Sequence, residues 1–314
     1  MSGLEIQPFA GEHLQDAGAL LAERHRRHHQ AEPLLGAAYD FPAEVQALWR
    51  ADSASGAVAT RDGRVVGYLL GIRKDDNRWG ANIWVDPAGH AVEQAEDTRD
   101  LYAAASTRWF EDGRTRHYVM APASDAPLVD AWHRLSFGHQ HAHGISEVQD
   151  APWPSSVRIA HEDDIEALVE LAPVLVEHQA QAPVFGIGLP RESPDEVRAM
   201  ILEDLSNRQL GNLIVEHEGR IVGGFQLAPA ELSTTHAGLA RPEGALLLSW
   251  AATRPDARGS GAGLALTEAS FAWAHEHGYA TMVTDWRETN LLASRFWPKR
   301  GFRRTFIRLY RSIP

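Results

Sequence analysis

Apolar stretches along this chain are short and are broken at regular intervals by polar turns. Residues 60–71 read TRDGRVVGYLLG, and residues 216–227 read EHEGRIVGGFQL. In each, an acidic residue followed by glycine (Asp62-Gly63, Glu218-Gly219) sits between runs rich in β-branched residues, which predicts a tight hairpin. A helix is predicted ahead of each hairpin, over residues 41–49 and 193–202. The second opens Ser-Pro-Asp-Glu, a capping box with proline at the first helical position. Further upstream, residues 6–21 and 157–175 each read as a short strand and then a helix with an acidic start. Downstream, LVDAWHRLSF (128–137) parallels ASRFWPKRGF (293–302), with Trp132 opposite Trp297. Four landmarks in the same order describe one α/β unit written twice. The proline-rich polar stretch 149–156 reads as the linker between the copies.

Length and charge sharpen this picture. A chain of 314 residues exceeds one ordinary core, so two domains are expected, at residues 1–150 and 156–314. The absence of cysteine excludes a disulfide framework, a thiolate zinc site and a cysteine nucleophile. It also fits a cytoplasmic setting. No apolar run reaches the roughly 18 residues of a membrane helix, and no signal peptide is visible at the start. The net charge of −12 argues against nucleic acid as a partner. The first 150 residues hold 14 basic and 22 acidic residues, which gives −8, so the remainder carries −4.

The stretch 246–279 carries the chemistry. Residues 246–250 are an apolar strand, Arg254-Pro255-Asp256-Ala257 is a turn, and a helix runs to about His277, with Gly278 in the C′ position. Between turn and helix lies Arg258-Gly259-Ser260-Gly261-Ala262-Gly263. Glycines let backbone N–H groups approach a phosphate, and a helix N-terminus favours an anion. A Walker loop is excluded because no Gly-Lys pair exists, and the dinucleotide fingerprint fails because its third glycine comes one residue early.

The loop resembles the [R/Q]-x-x-G-x-[G/A] loop of the GNAT N-acetyltransferase superfamily. Thr253-Arg254-Pro255 resembles that family's strand end. Asn290, Ala293, Trp297 and Gly301-Phe302 fit its N-x-x-A-x-x-x-Y-x-x-x-G-F pattern with spacing intact, except that Trp297 replaces the tyrosine. The resemblance spans residues 156–314 and implies an α/β (α+β) fold, with each domain a mixed, mostly antiparallel sheet flanked by helices. It implies acetyl-CoA as co-substrate. The amides of Arg258, Gly259, Ser260, Gly261, Ala262 and Gly263 would hold the pyrophosphate. Ala251, Ala252 and Thr253 would pair with the pantetheine arm, and Asn290, Ser294 and Trp297 would flank the coenzyme. The acyl carbonyl would sit in a splay beside this strand, and a small-molecule amine would attack the thioester directly.

The family's tyrosine often protonates the departing thiolate, and an indole cannot do this. Tyr310, Tyr279 or water remains as the acid, or the thiolate leaves unaided. Glu243 and Ser249, or Asp285 and Glu288, are candidates for the base. The first half keeps Val85-Asp86-Pro87 as a matching strand end but follows it with Glu93, Glu96 and Asp97 in place of glycines, and Asp125 in place of Asn290. It reads as a GNAT-type copy with a degenerate coenzyme site, serving as pocket wall, scaffold or homodimer surface. Alternating His139, His141 and His143 would share one strand face, but no further ligand has a firm spacing, so no metal is expected. The rival reading is a coenzyme-A-binding sensor or scaffold without transfer activity.

Overall fold

A computed structural model describes residues 3–75, 79–186 and 192–314. In chain order the elements are β1 (Glu5–Pro8), α1 (Leu14–Ala31), α2 (Phe41–Trp49), β2 (Ser55–Arg61), β3 (Arg64–Gly71), β4 (Asn82–Val85), β5 (His90–Val92), α3 (Asp97–Glu111), β6 (Arg116–Pro122), α4 (Ala126–His133) and β7 (Gly138–Glu147). Then follow β8 (Val157–Ile159), α5 (Ile165–Leu171), α6 (Pro173–Ala180), α7 (Pro194–Ser206), β9 (Gly211–His217), β10 (Arg220–Pro229), β11 (Leu246–Thr253), α8 (Ala262–Glu276), β12 (Thr281–Arg287), α9 (Ala293–Phe296) and β13 (Arg303–Ser312). No helix among the described residues is long and apolar enough to cross a membrane.

The chain divides into two compact units. Unit 1 is residues 1–143, 238–241 and 304–314; unit 2 is residues 144–237 and 242–303. This differs from a single cut at 150–156: the last strand returns to unit 1. Sequence order alone assigns β13 to its neighbours, but its residues pair antiparallel with β6, from Phe306 opposite Pro122 to Ser312 opposite Arg116.

The repeat is visible in backbone detail. Both hairpin turns place two consecutive residues at positive φ, Asp62 (51°) with Gly63 (74°) and Glu218 (52°) with Gly219 (75°). That is the type I′ geometry, which matches the twist of antiparallel strands. Local capping sets the helix starts. Asp40 accepts from the Ala43 amide at 3.0 Å to begin α2, and Ser193 with Glu196 closes the capping box of α7. After Trp132 and Trp297 the chain turns identically: Phe137 and Phe302 each donate to the preceding tryptophan carbonyl at 3.3 Å.

Unit 1 builds a sheet in the order β1-β2-β3-β5, and places β4, β6 and β13 side by side. Strand alternation splits its apolar residues into two layers. Ala57, Val85, Trp109, Trp132, Ile307 and Leu309 form one. Phe9, Leu21, Val58, Tyr68, Met120 and Phe306 form the other, together with Leu239 and Ala240 from the short segment that rejoins this unit.

Unit 2 orders its strands β12-β11-β10-β9-β8. All neighbours are antiparallel except β11 and β12, which are parallel. Leu171, Ile214, Ile221 and Ala252 form a buried cluster, with Leu168 and Leu205 packed on it. Helix α8 packs on β9 and β10. Its Trp273 lies so close to Gly211 that a Cβ there would come within 2.9 Å of the indole.

Candidate active site

β11 is the axis of the site. Its first residues pair in parallel with β12, Leu246 with Met282 and Leu247 with Val283, and the pairing stops there. Its last residues pair antiparallel with β10, through Phe225–Ala251, Gly224–Ala252 and Gly223–Thr253. Between these segments the register shifts, because Gln226 faces Trp250 while Leu227 faces Leu248. Ser249 is therefore the extra residue of a β-bulge, a device that twists a strand and re-aims its side chains. Beyond Leu247 the edge of β11 facing β12 is no longer paired in the sheet, which forms the expected splay. The Thr284 hydroxyl closes its base by donating to the Leu248 carbonyl at 3.1 Å.

β11 ends where Arg254-Pro255 begins a 3-10 turn. The Arg254 side chain is committed, donating to the Ile221 carbonyl and the Glu170 carboxylate. Arg258, Gly259, Ser260 and Gly261 are exposed. Gly259 (φ 85°) and Gly261 (φ 93°) sit in the left-handed region, where a side chain costs roughly 1–2 kcal/mol. Gly261 is the residue before α8. The amides of Gly263 and Leu264 follow in the first helical turn, which has no carbonyl of its own helix to meet. The Ser260 hydroxyl reaches the Ala262 amide at 3.4 Å. The loop thus offers a cationic side chain, two glycine-enabled turns and a helix N-terminus, a donor set suited to a pyrophosphate.

Asn290 follows β12 and is buried. Its Oδ1 accepts from the Leu292 and Ala293 amides at 3.1 and 3.2 Å, and from His178 Nε2 of α6 at 3.2 Å. Its amide NH2 is left facing away from these acceptor contacts. The Ser294 amide donates to the Asn290 carbonyl at 2.9 Å, so Ser294 sits half-buried in the first turn of α9. Trp297 is 5% exposed and packs against Phe225, Phe296 and Phe302, with centroids 5.8, 5.0 and 5.5 Å away. Its role in this unit is packing. Phe296 reaches back to the loop, where a Cβ on Gly263 would meet its ring at 3.5 Å.

The three candidate catalytic residues lie on different elements. Asp285 lies on β12, with its Oδ1 3.4 Å from Nε2 of buried His236. His236 was not legible as a site residue, because it lies 49 positions upstream in an irregular loop with no motif around it. Glu243 is exposed in the turn before β11. Tyr310 belongs to unit 1, not to the unit that bears the loop; its ring packs against Tyr118 at 4.9 Å, which in turn stacks on Trp84. Glu288 accepts from the Trp286 indole at 3.0 Å.

Unit 1 repeats this frame with different contents. Its strand β4 ends at Val85, before Asp86-Pro87, as the sequence suggests. After a turn at Pro87–Gly89 a second short strand, β5, follows, pairing Leu69–His90, Tyr68–Ala91 and Gly67–Val92. Proline cannot donate to a sheet ladder, but here the Tyr68 hydroxyl and Arg24 bind the Ala88, Pro87 and His90 carbonyls and hold the interruption in place. Its fork, between β5 and β6, is filled. His90, 1% exposed, donates from Nε2 to the Met120 carbonyl at 3.0 Å. The acids that replace the glycine loop are held by arginines: Arg61 on Asp97, Arg64 on Glu93, and Arg99 with Arg134 on Glu96. The histidines of β7 also have internal uses, His139 reaching the His141 carbonyl at 3.1 Å and the rings of His141 and His143 meeting edge to face. Among the described residues no group of three or more potential ligands is set to hold a metal.

Residues 176–302 match the model of the acetyltransferase (GNAT) family. No curated protein sequence matches the chain. Among solved structures, a GCN5-related N-acetyltransferase from Sphaerobacter thermophilus is similar over 98% of this chain and 95% of its own, with a TM-score of 0.56 and 13% identity. A GCN5-related glucosamine N-acetyltransferase region of a fungal multi-domain β-N-acetylglucosaminidase is similar over 99% of this chain and 38% of that longer one, with a TM-score of 0.54 and 13% identity. At such identities these likenesses speak for the fold.

Proposed function

Residues 176–302 belong to the GNAT acetyltransferase family, and from that premise we propose that the chain moves an acetyl group from acetyl-CoA to the amine of a small molecule. The observation that carries this reading is the course of β11. One strand leads from an open fork, past a bulge, into a loop whose glycines and helix start can cradle a pyrophosphate. Acetyl-CoA supplies an activated acyl carbon with a thiol as leaving group.

The chain holds and orients. Arg258 to Gly263 would seat the diphosphate, the free edge of Ala251 to Thr253 would bind the pantetheine amides, and the Asn290 NH2 would add a donor. Ser294 and Trp297 would wall the arm. A backbone N–H in the fork would meet the oxygen on which charge develops, normally a large contribution to acyl transfer. Asp285, steadied by His236, and Glu243 are the carboxylates of unit 2 assigned to take the amine's proton. The acid is left open between Tyr310, Tyr279 and water, since Trp297 cannot release a proton; a thiolate is also a leaving group able to depart unaided. Unit 1 is read as a copy whose fork His90 has closed and whose phosphate seat carboxylates occupy. A chain without cysteine suits a cytoplasmic setting.

The test is thiol release from acetyl-CoA in the presence of glucosamine, kanamycin or spermidine, alongside calorimetric titration of the coenzyme. The expected result is amine-dependent release, with one coenzyme bound per chain. The reading fails if the coenzyme does not bind, or if Gly261→Asp, which places a carboxylate in the phosphate seat, binds it as well as the parent.

A further inference from the structure

A side chain exposed in the middle of a central strand needs a reason. Ser249 is flanked in sequence by buried Leu248 and half-buried Trp250, and β11 has a strand on each side, yet Ser249 is exposed. It is also the bulge residue at the mouth of the fork. Space therefore lies open in front of its hydroxyl, beside the point where pairing with β12 ends.

That hydroxyl is not free to turn. Ser249 Oγ lies 2.9 Å from Gln226 Oε1 and 3.2 Å from the Gln226 backbone carbonyl. The backbone oxygen can only accept. The side-chain amide is oriented in turn by Asp204 on α7, whose Oδ2 lies 2.8 Å from Gln226 Nε2. An ionised carboxylate accepts only, so the NH2 end must face it and the oxygen end must face Ser249. Asn212 repeats the constraint, accepting from Gln226 Nε2 at 3.4 Å and donating to the Asp204 carbonyl at 3.1 Å. The one proton of Ser249 is thus committed to Gln226, and the exposed oxygen keeps its lone pairs for a donor.

The placement of Asp204 is poor for the helix itself. The last turn of α7 contains Glu203 and Asp204 and no basic residue, where the helix dipole disfavours negative charge. Burial also pushes the Asp204 carboxyl up. A carboxylate kept there against both effects points to a use in orienting Gln226.

We infer that Asp204, Gln226 and Ser249 form a one-way hydrogen-bond chain that makes Ser249 an obligate acceptor for an N–H of the incoming amine. Asp204 and Gln226 are positioning residues; Ser249 touches the substrate. An amide cannot carry a proton onward, so Ser249 holds the acceptor and does not act as its base. A primary amine suits this arrangement: one N–H is held by Ser249 while another is surrendered and the lone pair faces the acyl carbon. An alcohol would have its single proton tied to a group that cannot remove it.

This inference rests on the acyltransfer reading above, and the experiment separates the two. The variants Ser249→Ala, Ser249→Thr and Asp204→Asn are assayed with acetyl-CoA and whichever of glucosamine, kanamycin and spermidine the parent uses best. Both KM values, the thermal midpoint and the calorimetric Kd of that amine on the coenzyme-A-loaded protein are measured. Ser249→Ala is expected to raise KM and Kd for the amine about tenfold, the value of one lost hydrogen bond, with KM for acetyl-CoA within twofold. Ser249→Thr, which keeps the hydroxyl, is expected to raise both less than Ser249→Ala does. Asp204→Asn, which lets the Gln226 amide turn over, shows a smaller rise in the same two quantities. Unchanged amine binding in Ser249→Ala, or an equal rise in both KM values with a lowered midpoint, overturns the inference and leaves acyl transfer standing. If the parent uses none of the three amines, both readings fall together.

Discussion

Asp125 and Asn290 do the same backbone work in the two halves of this chain. Asp125 Oδ1 accepts from the Leu128 amide at 3.2 Å at the start of α4. Asn290 Oδ1 accepts from the Leu292 and Ala293 amides at the start of α9. The cap needs an oxygen in either place. What differs is the second atom of the side chain, an anionic oxygen in unit 1 and an NH2 donor in unit 2.

Asn290→Asp therefore tests whether that NH2 serves the coenzyme. The cap survives, so stability in urea is expected to stay within about 1 kcal/mol. Acetyl-CoA affinity is expected to drop at least tenfold, about 1.4 kcal/mol, through a lost donor and an added negative charge. Unchanged titration calorimetry would remove Asn290 from the coenzyme site.

The two loop glycines nearest the helix should respond in opposite ways. Gly261→Ala forces a side chain to φ 93° and is expected to cost roughly 1–2 kcal/mol. Gly263→Ala meets Phe296 only at ordinary contact distance and removes a glycine from a helix, so it is expected to stabilise by about 0.5–1 kcal/mol. Coenzyme binding should survive the second change. Urea denaturation of the two variants decides the signs.

Trp297 is expected to matter to packing and not to proton transfer. Trp297→Phe leaves a cavity among Phe225, Phe296 and Phe302, for a cost of about 1–3 kcal/mol. With the protein still folded, kcat should stay within threefold of the parent. A much larger fall in kcat, measured well below the lowered melting point, would give the indole a catalytic role.

Unit 1 should be acid-labile. Burial holds His28 and His90 at a pKa of about 3, and His117 at about 4. The unfolded chain takes up these protons below its ordinary histidine pKa of about 6.5, while the folded protein does not. Stability contributed by the neutral imidazoles is therefore complete above pH 6.5 and is lost as the pH falls toward 4 and 3. Each histidine adds up to about 1.4 kcal/mol per pH unit across that window. Calorimetry at several pH values should show this slope, and His90→Gln, which can still donate to the Met120 carbonyl, should reduce it.

Much of this architecture is written in short-range signals. Asp62-Gly63 and Glu218-Gly219 specify their turns within two residues, the Ser193–Glu196 box starts its helix within four, and the 258–263 loop lies in one continuous run. Three features needed partners far away in the chain. Proline at position 87 marks the end of a strand, and only the Tyr68 hydroxyl and Arg24 reveal that a second strand, β5, follows the turn. His236 gains meaning from Asp285, and Ser249 from Gln226 and Asp204. Such pairings are made by packing, and no local pattern encodes them.

The return of β13 to β6 also imposes an order in time. Residues 306–312 leave the ribosome only after the whole of unit 2, and unit 1 lacks a strand until they do. Unit 1, begun before unit 2, can be completed only after that intervening unit has had its chance to fold. Its exposed β6 edge must stay unpaired through that interval, an opening for mispairing. Slow translation of unit 2 would lengthen the exposure. Deleting residues 306–312 would then injure unit 1, although in sequence they follow the whole of unit 2.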